Sequence, residues 1–136
     1  MATIDKRRPD GIPTDWSWEI ADRIAFASHE ISGGESGEMV YIIRAGTLHT
    51  DIHIDRLALS LENAPGGGKT VSVTVSNGID TMTVNVSGSD VAGYTTTNNF
   101  DLDASVQDLT VTLDSDAGAA SGTATIFLLY HDITIT

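Results

Sequence analysis

Apolar residues recur at every second position over much of the chain, the period of strands buried on one face. Leu57, Leu59 and Leu61 make one such run; Val71, Val73 and Val75 a second; Met82, Val84 and Val86 a third; Leu109, Val111 and Leu113 a fourth. Asn77-Gly78 separates the second run from the third, and this pair readily accepts positive φ in a type I′ turn. A two-residue loop at that point pairs Ser76 with Ile79, hence Val73 with Met82 and Val71 with Val84. The same register sets Ser72 opposite Thr83 and Thr74 opposite Thr81. One face of the hairpin is then apolar and the other a carpet of Ser and Thr, with Asp80 opposite Val75 as the one mismatch.

The same reading extends along the chain. Residues 1–15 hold two prolines, a glycine and the run Lys6-Arg7-Arg8, and read as an extended N-terminal arm outside the core. Residues 16–136 read as one domain. In 16–31, Trp16, Trp18 and Ile20 alternate, then Ile24 and Phe26 after a shift, which predicts strand rather than helix. Trp16 and Trp18 stand where arm meets domain, placed for a core edge or for contact with a neighbour. Further strands are expected over 38–44, 47–54, 57–61, 100–103 and 109–113, with a final one or two over 123–136 and a bend near His131-Asp132. The apolar parity changes between Ile54 and Leu57, which predicts a β-bulge or bend at Asp55-Arg56. Residues 88–99 read as polar loop. About eight or nine short strands with turn signals between them predict an all-β fold, an antiparallel, jelly-roll-like β-sandwich.

Composition narrows the picture. Aromatics are 6% while Thr, Ser, Val, Asp and Gly abound, as in sandwiches. No apolar run approaches the roughly 20 residues that span a bilayer, and the N-terminus lacks the apolar core of a secretory signal. With no cysteine there is neither a disulfide framework nor a thiolate metal site. The net charge of −12 is unevenly spread, since every Lys and Arg lies at or before Lys69. Such a surface repels nucleic acid and anionic membrane, so neither is an expected partner.

The candidate chemistry is sparse. Gly66-Gly-Gly-Lys-Thr70 looks like part of a phosphate loop, but the pattern needs a glycine where Asn63 stands and a helix where a Val/Thr strand follows. It reads as a tight turn. His49, Asp51, His53 and Asp55 alternate, and on a strand all four would share one face. Same-face neighbours on a strand stand about 7 Å apart, too far for adjacent members to chelate a metal unaided. The expected role is a solvated or subunit-facing surface. Asp101, Asp103, Asp108, Asp114 and Asp116 read as an acidic rim, because the spacing of a calcium loop is absent. No serine lies in a nucleophile elbow. The expectation is a protein that is not an enzyme and needs no cofactor or metal.

Three stretches resemble known proteins: Glu38-Met-Val-Tyr-Ile-Ile-Arg-Ala-Gly-Thr-Leu48, the segment from Asp55 through Ala64-Pro-Gly-Gly-Gly-Lys-Thr70 to Gly78, and Thr95-Thr-Thr-Asn-Asn-Phe-Asp-Leu-Asp103. They resemble β-rich structural proteins of tailed-bacteriophage virions, of the capsid decoration (cement) or fibre-domain type. The resemblance covers roughly residues 38–131 and marks a scaffold rather than a chemical site. It implies a protein on the capsid surface of a virion that stabilises the head, with the major capsid protein as partner and a homotrimer as the assembled form. The alternative it implies is a tail-fibre, head-fibre or baseplate surface domain with a glycan-binding role. Lys6, Arg7, Arg8, Trp16 and Trp18 fall outside the resembling region and are the expected partner-binding residues.

Overall fold

The structure is a computed structural model and describes residues 19–21, 24–31, 37–119 and 122–134. Ten strands are present in the described residues, and no helix. In chain order they are β1 (Glu19–Ala21), β2 (Ile24–Ile31), β3 (Gly37–Ile43), β4 (Asp51–Leu61), β5 (Gly66–Ser76), β6 (Thr81–Gly88), β7 (Ala92–Thr95), β8 (Phe100–Leu102), β9 (Leu109–Ser115) and β10 (Gly122–Ile133). They form two antiparallel sheets. One is ordered β1-β2-β10-β4-β7 with β8 also paired to β4, and the other β3-β9-β5-β6. The arrangement is the expected antiparallel, jelly-roll-like β-sandwich, with two strands more than the sequence suggested at its lower bound.

The core is what the alternation predicts. Ile54, Leu57, Leu59, Ile126 and Leu128 of the first sheet face Val71, Val73, Val75, Val111 and Leu113 of the second, all fully buried. Phe100 and Leu102 close one end. Removing these side chains from water supplies the main driving force of the fold.

Four local features differ from the sequence reading. The β5–β6 hairpin pairs Ser76 with Thr81, Val75 with Met82, Val73 with Val84 and Val71 with Val86. Its loop therefore holds Asn77 to Asp80, and the register is displaced by two residues from the two-residue turn. Because the displacement is even, the apolar face survives, and the mismatch of Asp80 against Val75 disappears. The physical cause is the Asn77 side chain, whose Oδ1 accepts from Ile79 N and Asp80 N and so holds both residues in the loop.

The strand expected from Thr47 begins only at Asp51, with residues 45–50 in turns and bends. His49 thus lies outside the strand that carries Asp51, His53 and Asp55, and the four do not share one strand face. Within residues 88–99, β7 pairs with β4, Tyr94 standing opposite Ala58. Finally, β10 is one continuous strand rather than two.

The parity break at Asp55-Arg56 is a β-bulge. Leu129 pairs with Arg56 and Tyr130 with Ile54, so Asp55 is the extra residue. The bulge divides β4 into two halves, one edged by β8 and the other by β7.

Candidate functional site

Side chains of chemical interest converge on the outward face of the larger sheet, on either side of that bulge. At the β8 end, His53 Nδ1–H donates to Asp101 Oδ1 at 2.6 Å. Across the bulge, His131 Nδ1–H donates to Asp55 Oδ2 at 2.7 Å. The two pairs abut: His53 Nε2 lies 3.7 Å from Asp55 Oδ1, and the imidazole centroids are 5.1 Å apart. Strand pairing sets this up, because His53 is in register with Asp101 on one side and His131 on the other. The extra residue in the bulge then points Asp55 at His131.

Each imidazole has its ring oriented by a carboxylate, an arrangement that can hold one tautomer in place. Among the described residues, neither imidazole bonds a hydroxyl that could serve as a nucleophile, and no group of three or more is arranged to hold a metal ion.

The sequence pattern named His53 and Asp55 but could not supply Asp101 and His131 as their partners. Those come from the neighbouring strands. Asp51 is used elsewhere, its Oδ1 accepting from Ala104 N at 2.9 Å.

The carboxylates read as an acidic rim divide in the same way. Asp103 Oδ1 accepts from Ser105 N at 3.2 Å and Oγ at 2.8 Å. Asp108 Oδ1 accepts from Ala45 N at 2.7 Å, and Asp116 Oδ2 from Thr70 N at 2.9 Å. Asp116 thereby pins the glycine-rich segment, where Gly66 and Gly68 take positive φ and the β5–β6 register slips between Gly66 and Thr70. These acids cap loop amides that would otherwise lack partners. Gly66-Gly-Gly-Lys-Thr70 is accordingly an irregular strand start, and no helix follows it.

Past the bulge the same outward face holds a trough lined by Arg56, Ala58, Ser60, Tyr94, Phe127 and Leu129, with a volume of about 410 Å³. The Arg56 guanidinium carbon sits 4.8 Å from the Tyr94 ring centroid, a cation–π contact.

The smaller sheet presents the hydroxyl carpet. Its register aligns Thr83, Thr74, Thr112 and Val40 in one row across β6, β5, β9 and β3, and Thr81, Ser76, Thr110 and Ile42 in the next. Thr74 and Thr83 share a hydrogen bond of 3.0 Å, and Thr70 and Ser87 one of 2.9 Å. Lys6, Arg7, Arg8, Trp16 and Trp18, the expected partner-binding residues, lie outside the described residues.

These features define an antiparallel β-sandwich whose two outward faces differ in kind, one hydroxyl-covered and one carrying polar clusters and a trough. No family model matches the chain, and no curated protein matches it in sequence. Solved structures of similar fold do exist. TmCBM61, a carbohydrate-binding module solved in complex with β-1,4-galactotriose, aligns at 10% identity and a TM-score of 0.46, covering 96% of this chain and 94% of that one. The N-terminal cellulose-binding domain of Cellulomonas fimi β-1,4-glucanase C aligns at 11% identity and 0.35, covering 93% and 94%. The virus-like particle protein of the extra small virus of the prawn Macrobrachium rosenbergii aligns at 17% identity and 0.40, covering 92% and 82%. At this level the likeness is one of fold alone.

Proposed function

We propose that the chain is a non-enzymatic structural subunit that decorates and stabilises the outside of a tailed-phage capsid, with the major capsid protein as its partner. One observation carries this reading: the outward face of the smaller sheet is uncharged over two rows of four strands. The positions are Thr83, Thr74, Thr112 and Val40, then Thr81, Ser76, Thr110 and Ile42. The chain as a whole has a net charge of −12 and 19% charged residues. Depletion of charge over a continuous patch is the compositional mark of an interface core. Ser, Thr and Val also lose little side-chain entropy when covered, and two hydroxyl pairs are already ordered across β5 and β6. Val40, half exposed, extends that face to the edge strand β3.

A closed ring buries such a face without making filaments, and a homotrimer is the form proposed. In this reading Lys6, Arg7 and Arg8 contact acidic groups on the shell or on a neighbouring subunit, and Trp16 and Trp18 are further partner-binding residues. A fibre or baseplate position would use the same face, and is distinguished by binding to tails rather than to heads.

Native mass spectrometry tests the assembly. The expected species is three chains, and Thr112→Lys should return it to a folded monomer, because a lysine on an exposed strand face keeps its charge in water only when that face is uncovered. A monomeric wild-type protein, or a Thr112→Lys variant that still forms trimers, contradicts this.

A further inference from the structure

The trough beside the bulge has features that a subunit interface does not require. Tyr94, Ala58 and Phe127 stand in one register row across β7, β4 and β10. Strands lie about 4.8 Å apart, so the two aromatic positions are about 10 Å from one another with a small alanine between them. Tyr94 is 67% exposed even with Arg56 against its ring. The trough is open and shallow, with a volume of about 410 Å³, within the range of small-ligand sites.

Arg56 supplies the second observation. The chain has 19 acidic residues, yet among the described residues Arg56 makes no ion pair. The adjacent carboxylate, Asp55, is occupied by His131. The guanidinium is instead held over an aromatic ring at the lip of the trough, with its planar fork of donors available. Its N–H donors are therefore available to an anionic ligand at the lip of the trough. The long-range repulsion of the remaining acids is screened beyond about 8 Å at physiological ionic strength.

We infer that this trough binds an anionic saccharide, a carboxylated pyranose of the uronic or sialic acid class. The apolar face of one sugar ring packs on Tyr94, its carboxylate takes the Arg56 fork, and the next ring lies over Ala58 against Phe127. Ser60, at the far end of the trough, offers a hydroxyl to a ring substituent. Flat, rigid aromatics and bidentate donors suit such a ligand because both are ordered before it arrives. The site lies on the sheet opposite the hydroxyl face, so it rests on neither the capsid reading nor the trimer.

Titration calorimetry and amide chemical-shift mapping on the full chain test it. The probes are trigalacturonate, an oligoalginate and sialyllactose, each beside a neutral counterpart, with a polyglutamate peptide as a charge-only control. At least one acidic sugar should bind below about 10 mM, more tightly than its neutral counterpart, with shifts confined to β4, β7 and β10. Tyr94→Ala and Arg56→Gln should each weaken it at least tenfold, Arg56→Gln removing the preference for acid over neutral. Both side chains are exposed, so the melting temperatures of the variants should match the parent. Failure of every acidic sugar to bind, equal binding of the neutral series, equal competition by polyglutamate, or undiminished binding by both variants would each overturn the assignment.

Discussion

Asn77 illustrates how one side chain sets a register. Its Oδ1 accepts from Ile79 N at 2.9 Å and from Asp80 N at 2.7 Å, forming an Asx turn inside the hairpin loop. Its Nδ2 donates to the Asp101 carbonyl at 2.8 Å, tying the hairpin tip to β8 in the opposite sheet. Asn77 is buried, so none of these bonds can be replaced cheaply by water. The dipeptide Asn-Gly signals a turn in sequence, but whether the asparagine offers its backbone or its side chain depends on β8, a partner distant in the chain. That is why the turn was legible and its length was not. Asn77→Ala should lower stability by about 2–3 kcal/mol, read from the urea midpoint at constant m. Gly78 has a φ of 95°, so Gly78→Val should cost about 1–2 kcal/mol through backbone strain alone. A neutral Asn77→Ala would show that the tie to β8 holds nothing.

Among the elements, β4 organises the larger sheet, pairing with β10 along one edge and with β7 and β8 along the other. Its bulge was readable because Ile52, Ile54, Leu57, Leu59 and Leu61 can all face inward only if one residue is extra. By contrast, β7 reads Ala-Gly-Tyr-Thr, with none of its residues buried, and so lacks the alternation that betrays a strand. Gly93 has its place there by contact rather than pattern, since a Cβ would meet Val84 Cγ1 at 3.2 Å. The His–Asp pairs were half legible for the same reason: pattern places residues on a face, and only pairing between distant strands says which faces meet. Deleting Asp55 removes the extra residue and sets Ile52, Ile54, Leu57, Leu59 and Leu61 in unbroken alternation against β10, so the core face is kept and the Asp55–His131 bond is lost. That variant should remain folded by circular dichroism, whereas deleting Ala58, which turns Leu59 and Leu61 outward, should abolish cooperative folding.

At the scale of the whole molecule, the core buried between the two sheets and the pairing of their strands hold the described residues together. Asp51, Asp108 and Asp116 are engaged with amides, and His53 and His131 with carboxylates. EDTA should therefore leave the melting temperature unchanged. A fall of several degrees restored by zinc or calcium would make His53, Asp55 and His131 ligands instead. Lys6, Arg7 and Arg8 are three of only seven basic residues, and they precede a domain that is otherwise strongly acidic. Their attraction to acidic groups should weaken as salt is raised. The most direct measurement is co-sedimentation of the purified protein with expanded capsids that lack it, comparing the full chain with a variant missing residues 2–15. The account predicts saturable, salt-sensitive binding of the full chain to heads, and a truncated protein that stays folded and trimeric but binds poorly. Absence of binding by the full chain, or equal binding by the truncated one, would contradict it.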